Sequence, residues 1–188
     1  MPHPRRLVGV TALGLALLIA CGPSGEDASK TAPSKAAAAN ANARAEAKVG
    51  YDLRRLRPRN EEPLEAMFER MRAQALKDSK RVAVLFSADW CEPCKRLDTE
   101  LGNTHPAAEI GDVRILEMKE EDWQDATRLD EFNELRKRWY PKTGTYPVLV
   151  LLDRDGAKVE EMKEAIERLK GEGVEPTLPN WFAGTRAG

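Results

Sequence analysis

The chain has 188 residues, 41% hydrophobic and 32% charged, enough apolar material for one core and too much for a disordered chain throughout. Its 30 Lys and Arg stand against 31 Asp and Glu, a net charge of −1, which excludes the concentrated basic surface of a nucleic-acid binder. Three cysteines are too few for a disulfide framework, and their odd number leaves at least one with a fate other than intrachain pairing.

Residues 1–20 read MPHPRRLVGVTALGLALLIA. Arg5 and Arg6 precede an uncharged apolar stretch, Leu7 to Ala20, too short for a spanning helix and of the length of a signal-peptide core. A buried helix of the folded domain is the alternative, but the polar region that follows offers nothing to pack against. Leu18-Ile19-Ala20-Cys21-Gly22 resembles a bacterial lipobox. That resemblance implies a lipid on the Cys21 sulfur, cleavage before it, and a mature chain tethered to a membrane without spanning it. It also gives the odd cysteine a fate. Ordinary secretory cleavage leaving a free Cys21 is the alternative. Gly22, rather than an Asp, resembles lipoproteins sorted to the outer membrane of Gram-negative bacteria.

Residues 23–48 lack large apolar side chains and cannot bury enough surface to offset the entropy of ordering. Residues 21–58 are therefore read as the lipidated cysteine and a flexible tether. Tyr51, Leu53 and Leu56 within it could add a strand or turn before Pro58. The globular pattern starts with a helix over 62–79, on the spacing of Leu64, Met67, Phe68, Met71 and Leu76. Val82 to Phe86 is a continuous apolar run, as in a buried central strand. Cys91-Glu92-Pro93-Cys94 then opens a helix. Thr104-His105-Pro106 reads as a turn into a short helix ending near Ile110. Strands over Val113–Met118 and Val148–Leu152 flank a helix over 125–140. Asp153 to Gly156 makes a hairpin turn into a strand over 157–160, and 161–170 is a last helix. Strands alternating with helices, then a hairpin, give an α/β domain over 59–172 with a mixed sheet. Residues 173–188 read as a tail, with Leu178, Trp181 and Phe182 available to pack onto the domain. The acidic insert Glu120 to Asp125 reads as a solvated loop, with a partner-docking surface as the alternative.

Two residues between Cys91 and Cys94 bring both sulfurs within bonding distance at a helix N-terminus. There the first sulfur meets free backbone N–H groups and the positive end of the helix dipole, both of which favour a thiolate. Cys91 is expected to be the exposed nucleophile and Cys94 the resolving thiol. Pro93 suits the first helical turn. The charge of Glu92 opposes thiolate formation and makes the pair more reducing. Half of a zinc site, completed by His105 and carboxylates, and an inert structural disulfide are the other readings of the spacing.

Ala88-Asp89-Trp90-Cys91-Glu92-Pro93-Cys94-Lys95 resembles the active-site signature of the thioredoxin superfamily, and Thr145-Tyr146-Pro147-Val148 stands where that family carries its second landmark. The resemblance covers about residues 62–170 and looks most like the thioredoxin-like reductase domains of bacterial envelopes. It implies a thioredoxin-like fold, a central mixed sheet flanked by helices, and a redox-active disulfide with no other cofactor and no metal. It further implies that Pro147 is cis and faces Cys91, and that the Tyr146 backbone pairs with substrate, with Trp90, Glu92, Pro93 and Lys95 as neighbours of the reactive pair. Many family members carry a buried acid six residues before the first cysteine. Here that position is Leu85, and Glu120 and Glu121 are the candidates to replace it.

The function that follows is a membrane-tethered reductase of disulfides in exported proteins of the cell envelope, regenerated by a membrane redox carrier. A disulfide oxidase or isomerase, a non-catalytic binding or assembly lipoprotein on the same fold, and a copper-handling protein are the alternatives. The last suits the two-residue spacing and the scarcity of histidine poorly.

Overall fold

A computed structural model describes residues 46–142 and 144–186. The expected signal peptide, Cys21 and most of the tether lie outside them. Five strands form the main sheet, in the order β2-β5-β3-β6-β7. Here β2 is Asp52–Arg55, β3 Arg81–Ser87, β5 Val113–Lys119, β6 Val148–Leu152 and β7 Lys158–Glu161. Strands β2, β5 and β3 run parallel, and β6 and β7 close the sheet antiparallel. Short strands β1 (Lys48–Gly50) and β4 (Thr104–Pro106) pair antiparallel beside it.

The apolar run 82–86 lies in β3, paired on both sides, so both of its faces are buried. Alternation divides the core. Val82, Val84 and Phe86 point to one layer with α1 (Leu64–Lys77) and α4 (Ala126–Lys137). Ala83 and Leu85 point to the other, with α2 (Glu92–Leu101), α3 (Ala107–Ile110), α5 (Met162–Gly171) and α6 (Leu178–Gly184). The result is the expected mixed sheet flanked by helices, a thioredoxin-like fold.

The folded body reaches beyond 59–172 on both sides. Strand β2 extends the sheet at its edge beside β5, although its sequence DLRR is mostly polar. Residues expected to form a tail hold α6, capped by Thr177, whose side chain accepts from the Asn180 N–H at 3.3 Å. Leu178, Trp181 and Phe182 are buried against α5, and the Trp181 indole donates to Glu160 at 2.8 Å. Helix α1 starts two residues later than expected because Pro63 stands just before its first turn. Thr104 to Pro106, expected as a turn, is a strand because β1 offers it a partner. The hairpin 153–156 turns at Gly156, φ 87°, with Asp153 accepting from the N–H groups of Asp155 and Ala157. Among the described residues no helix is long and apolar enough to cross a membrane.

Candidate functional site

Strand β3 ends at Ser87, and Ala88 to Trp90 carry the chain to α2. Cys91 is the N-cap of that helix. Its backbone is extended, and its sulfur accepts a hydrogen bond from the Cys94 N–H at 3.2 Å. One of the amides that an α-helix leaves without an internal partner is thus aimed at the first sulfur. Cys91 and Cys94 are joined as a disulfide, with Cα atoms 5.2 Å apart. Pro93 sits in the first turn, where its missing N–H costs nothing. Glu92 and Lys95 are exposed and form an ion pair at 3.3 Å. Lys95 thus sets a positive charge beside that of Glu92, in an exposed pair that solvent screens.

Cys91 is not the open nucleophile expected. In the disulfide form Cys91 is 4% and Cys94 2% exposed. Ala88 clusters with the two cysteines, and Tyr146 packs against that cluster. Trp90 beside them is 64% exposed and meets the Tyr146 ring edge-on, 5.7 Å between centroids. The Tyr146–Pro147 bond is cis, as the family resemblance implies, and Tyr146 lies on the reactive pair.

A carboxylate that sequence reasoning missed sits beneath the site. Glu117 of β5 is in register with Leu85 of β3, so their side chains share a face of the sheet. Leu85 packs with Leu97 and Leu101 of α2, which places Glu117 on the layer under the Cys91–Cys94 helix. It is 3% exposed and accepts from the Ser87 hydroxyl at 3.2 Å. Burial, followed by the nearby Asp98 charge, raises its pKa above the usual carboxylate value against the opposing pull of Lys119. Lys119, two residues on, bonds Asp89 of the active-site loop at 3.0 Å and Asp98 of α2 at 3.1 Å. Asp98 lies one helical turn beyond Cys94. Burial works against the Lys119 charge, but these carboxylates outweigh it and hold its pKa above the ordinary one. The signal was in the sequence: Glu117 is a lone acid inside the apolar run of β5.

Glu120 and Glu121 do other work. Residues Glu120–Trp123 form a 3-10 turn with Trp123 fully buried, so the insert is anchored rather than a free loop. The Glu121 carboxylate accepts from the Asp89 N–H at 2.8 Å. Glu120 stands beside the Tyr146 hydroxyl; burial first, then this carboxylate, raises the Tyr146 pKa. The acidic turn thereby braces the two loops that meet at the disulfide. His105, the candidate zinc partner, lies past the far end of α2, with its Nε2 2.9 Å from Glu100. Among the described residues no three His, Cys, Asp or Glu side chains are grouped to hold a metal.

A family model described as a thioredoxin-like domain matches residues 68–168, more than half of the chain. The chain belongs to the thioredoxin-like family. The match spans both landmarks, and the Cys91–Cys94 disulfide is the redox centre of this thioredoxin-like domain. Among solved structures, the chain is similar to a disulphide isomerase from Xylella fastidiosa Temecula1 at 18% identity, over 69% of this chain and 95% of that one, TM-score 0.47. It is similar to a poplar thioredoxin h at 18% identity, over 65% and 92%, TM-score 0.43. It is also similar to the oxidised C-terminal domain of DsbD from Neisseria meningitidis at 22% identity, over 52% and 80%, TM-score 0.38. No curated protein matches the chain.

Proposed function

We propose that this thioredoxin-like protein reduces disulfides of other proteins in the bacterial cell envelope, held at a membrane by a lipid on Cys21. The observation that carries the redox part is the Cys91 sulfur at a helix N-cap, 3.2 Å from the Cys94 amide and bonded to Cys94. In the reduced protein the Cys91 thiolate attacks a substrate disulfide. The substrate S–S bond breaks, a mixed disulfide forms, and one substrate sulfur leaves as a thiolate. Cys94 then gives up its proton and attacks the Cys91 sulfur, releasing the second substrate sulfur. The substrate gains two electrons and the Cys91–Cys94 pair loses two. A membrane redox carrier returns them.

Cys94 is closed to solvent, so its proton needs a local acceptor. Glu117 fills that role, directly or through a water, because it is the buried carboxylate on the layer beneath α2 and its raised pKa suits exchange with a thiol. The reducing direction is supported by the acids around the pair. Glu117, Asp98, Asp89 and Glu121 carry more negative charge than Lys119, bonded to two of them, offsets, and this disfavours an accumulated thiolate and so favours the disulfide over the dithiol.

Insulin reduction with dithiothreitol as electron source tests the activity: the wild type accelerates it, and Cys91→Ser does not. Equilibration with glutathione tests the direction. A potential near ~−270 mV fits a reductase, whereas one near ~−120 mV belongs to a strong oxidant and overturns it. The low exposure of both sulfurs favours a second reading, a binding or assembly lipoprotein that uses the fold without turnover. That reading predicts that Cys91→Ser leaves the cellular phenotype intact.

A further inference from the structure

The disulfide is closed off although its neighbour Trp90 is exposed, and the side chain that closes it is itself held in place. Tyr146 packs against the buried cluster of Ala88, Cys91 and Cys94. The guanidinium of Arg136 lies 5.2 Å from the centroid of the Tyr146 ring and 5.6 Å from that of Tyr140. Arg136 is 1% exposed. It donates to the carbonyl of Lys142 and to that of Thr145, the latter at 3.2 Å. One buried cation therefore fixes both the ring of Tyr146 and the main chain leading into it. Glu120 stands at the hydroxyl end of the same ring, and Trp90 meets its edge. A surface aromatic held from beneath, at its tip and along its edge is a cover rather than a mobile side chain.

We propose that Tyr146, clamped by Arg136, determines specificity: it keeps small thiols off the Cys91–Cys94 pair and gives way to an extended polypeptide. This rests on the thiol–disulfide reading above. The exposed Trp90 face, next to the cover, offers a polypeptide apolar contact that a small thiol cannot use. Such a chain can displace the Trp90–Tyr146 contact and pair with the backbone beside Pro147. A small thiol gains too little to open it. Arg136 acts through Tyr146 and is a positioning residue.

The test compares two probes on the full-length protein. Stopped-flow tryptophan fluorescence follows reduction of the Cys91–Cys94 disulfide by dithiothreitol, and turnover with insulin gives KM and kcat. Tyr146→Ala is expected to be reduced by dithiothreitol about tenfold faster than the wild type, and to show a KM for insulin that falls or stays level, because the polypeptide no longer has to displace the ring. Arg136→Met moves both in the same senses, Arg136→Lys moves them less, and Tyr146→Phe, which keeps the ring over Arg136 and loses only the hold at its tip, moves them least. An unchanged or slower dithiothreitol rate in Tyr146→Ala overturns the cover. So does a faster rate that accompanies a lowered melting temperature, because that reports loosening of the fold. If Arg136→Met fails to fold, Tyr146→Ala and Arg136→Lys still decide. Absence of insulin turnover in the wild type would sink the redox reading alone, since the dithiothreitol arm reads the cover independently.

Discussion

Glu117 stands directly across the β3–β5 ladder from Leu85, its carboxylate buried where the chain otherwise places aliphatic side chains. The position from which relatives are expected to supply an acid is leucine here, and the acid comes instead from the adjoining strand. Its neighbours Ser87, Lys119, Asp98 and Asp89 join it to the active-site loop and to the turn of α2 beyond Cys94. The function proposed for Glu117 follows from that placement.

Replacing Glu117 by Gln keeps the shape and removes the base. The resolving step, in which Cys94 displaces substrate from Cys91, is expected to slow on the order of 10²-fold near neutral pH, while the first attack by Cys91 changes little. Single-turnover kinetics with a peptide disulfide separate the two steps. Equal slowing of both would show that Glu117 does not act on the Cys94 proton.

The same residue predicts a pH effect on stability. Its folded pKa is raised, mainly by burial, so the folded state binds its proton more tightly than the unfolded one. Stability from this group is complete below the unfolded pKa of ~4.3 and is lost as pH rises through the raised folded value. Ionising this buried carboxylate as pH rises is therefore a burden on the fold. Glu117→Gln should be more stable than the wild type at neutral pH by roughly 1 kcal/mol and should lose that advantage at pH ~4. Urea titrations at the two pH values check this, and a destabilised variant at neutral pH would contradict it.

Asp112 has the opposite sign. Burial resists its charge, but Arg186 and Arg81 hold its pKa down to about 2. Its contribution is present above the unfolded carboxylate value and lost as pH falls toward about 2. Asp112→Asn should cost stability at neutral pH, with a smaller difference from the wild type at pH ~2. Thermal melts across that range measure it.

Helix α6 belongs to the core. Trp181→Ala removes a side chain that is 1% exposed, stacks on Phe182 and bonds Glu160, and should cost about 3–5 kcal/mol. Denaturant unfolding tests this. A loss under 1 kcal/mol would mean that α6 is an appendage.

The sequence made the central elements readable where chemistry and periodicity agreed. The apolar runs of β3, β5 and β6, the Gly156 turn and the Cys-x-x-Cys helix start each follow from local rules. Strand β2 was legible only as a strand or turn at Tyr51, Leu53 and Leu56, because Asp52-Leu53-Arg54-Arg55 is an edge strand whose pairing with β5 is a tertiary matter. Helix α6 has seven residues, too few for a periodic signal, although Thr177 followed by Asn180 and Pro179 marks its start. The cysteines and the Tyr146–Pro147 pair were legible as a motif. The low exposure of Cys91 was not, because it depends on the packing of residues such as Ala88 and Tyr146 that the fold brings together there. Arg136 carried no signal at all: it lies in a charged helical stretch, and only the loop folded over it gives it carbonyls and aromatic rings to hold.

The Cys91 position also sets its reactivity. With an amide on its sulfur at the helix N-cap, Cys91 is the more readily ionised of the two in the reduced protein and should react with iodoacetamide well before Cys94. Mass spectrometry of partly alkylated protein distinguishes the two, and preferential labelling of Cys94 would reverse the assigned roles.

The most direct measurement is a trap on the purified protein. Reduced Cys94→Ala, mixed with a peptide disulfide, should accumulate one mixed disulfide on Cys91, identified by mass and released by dithiothreitol. Cys91→Ala should accumulate none there under the same conditions. If Cys94→Ala forms no adduct while folded, or if the adduct sits elsewhere, Cys91 is not the nucleophile and the thiol–disulfide account is wrong.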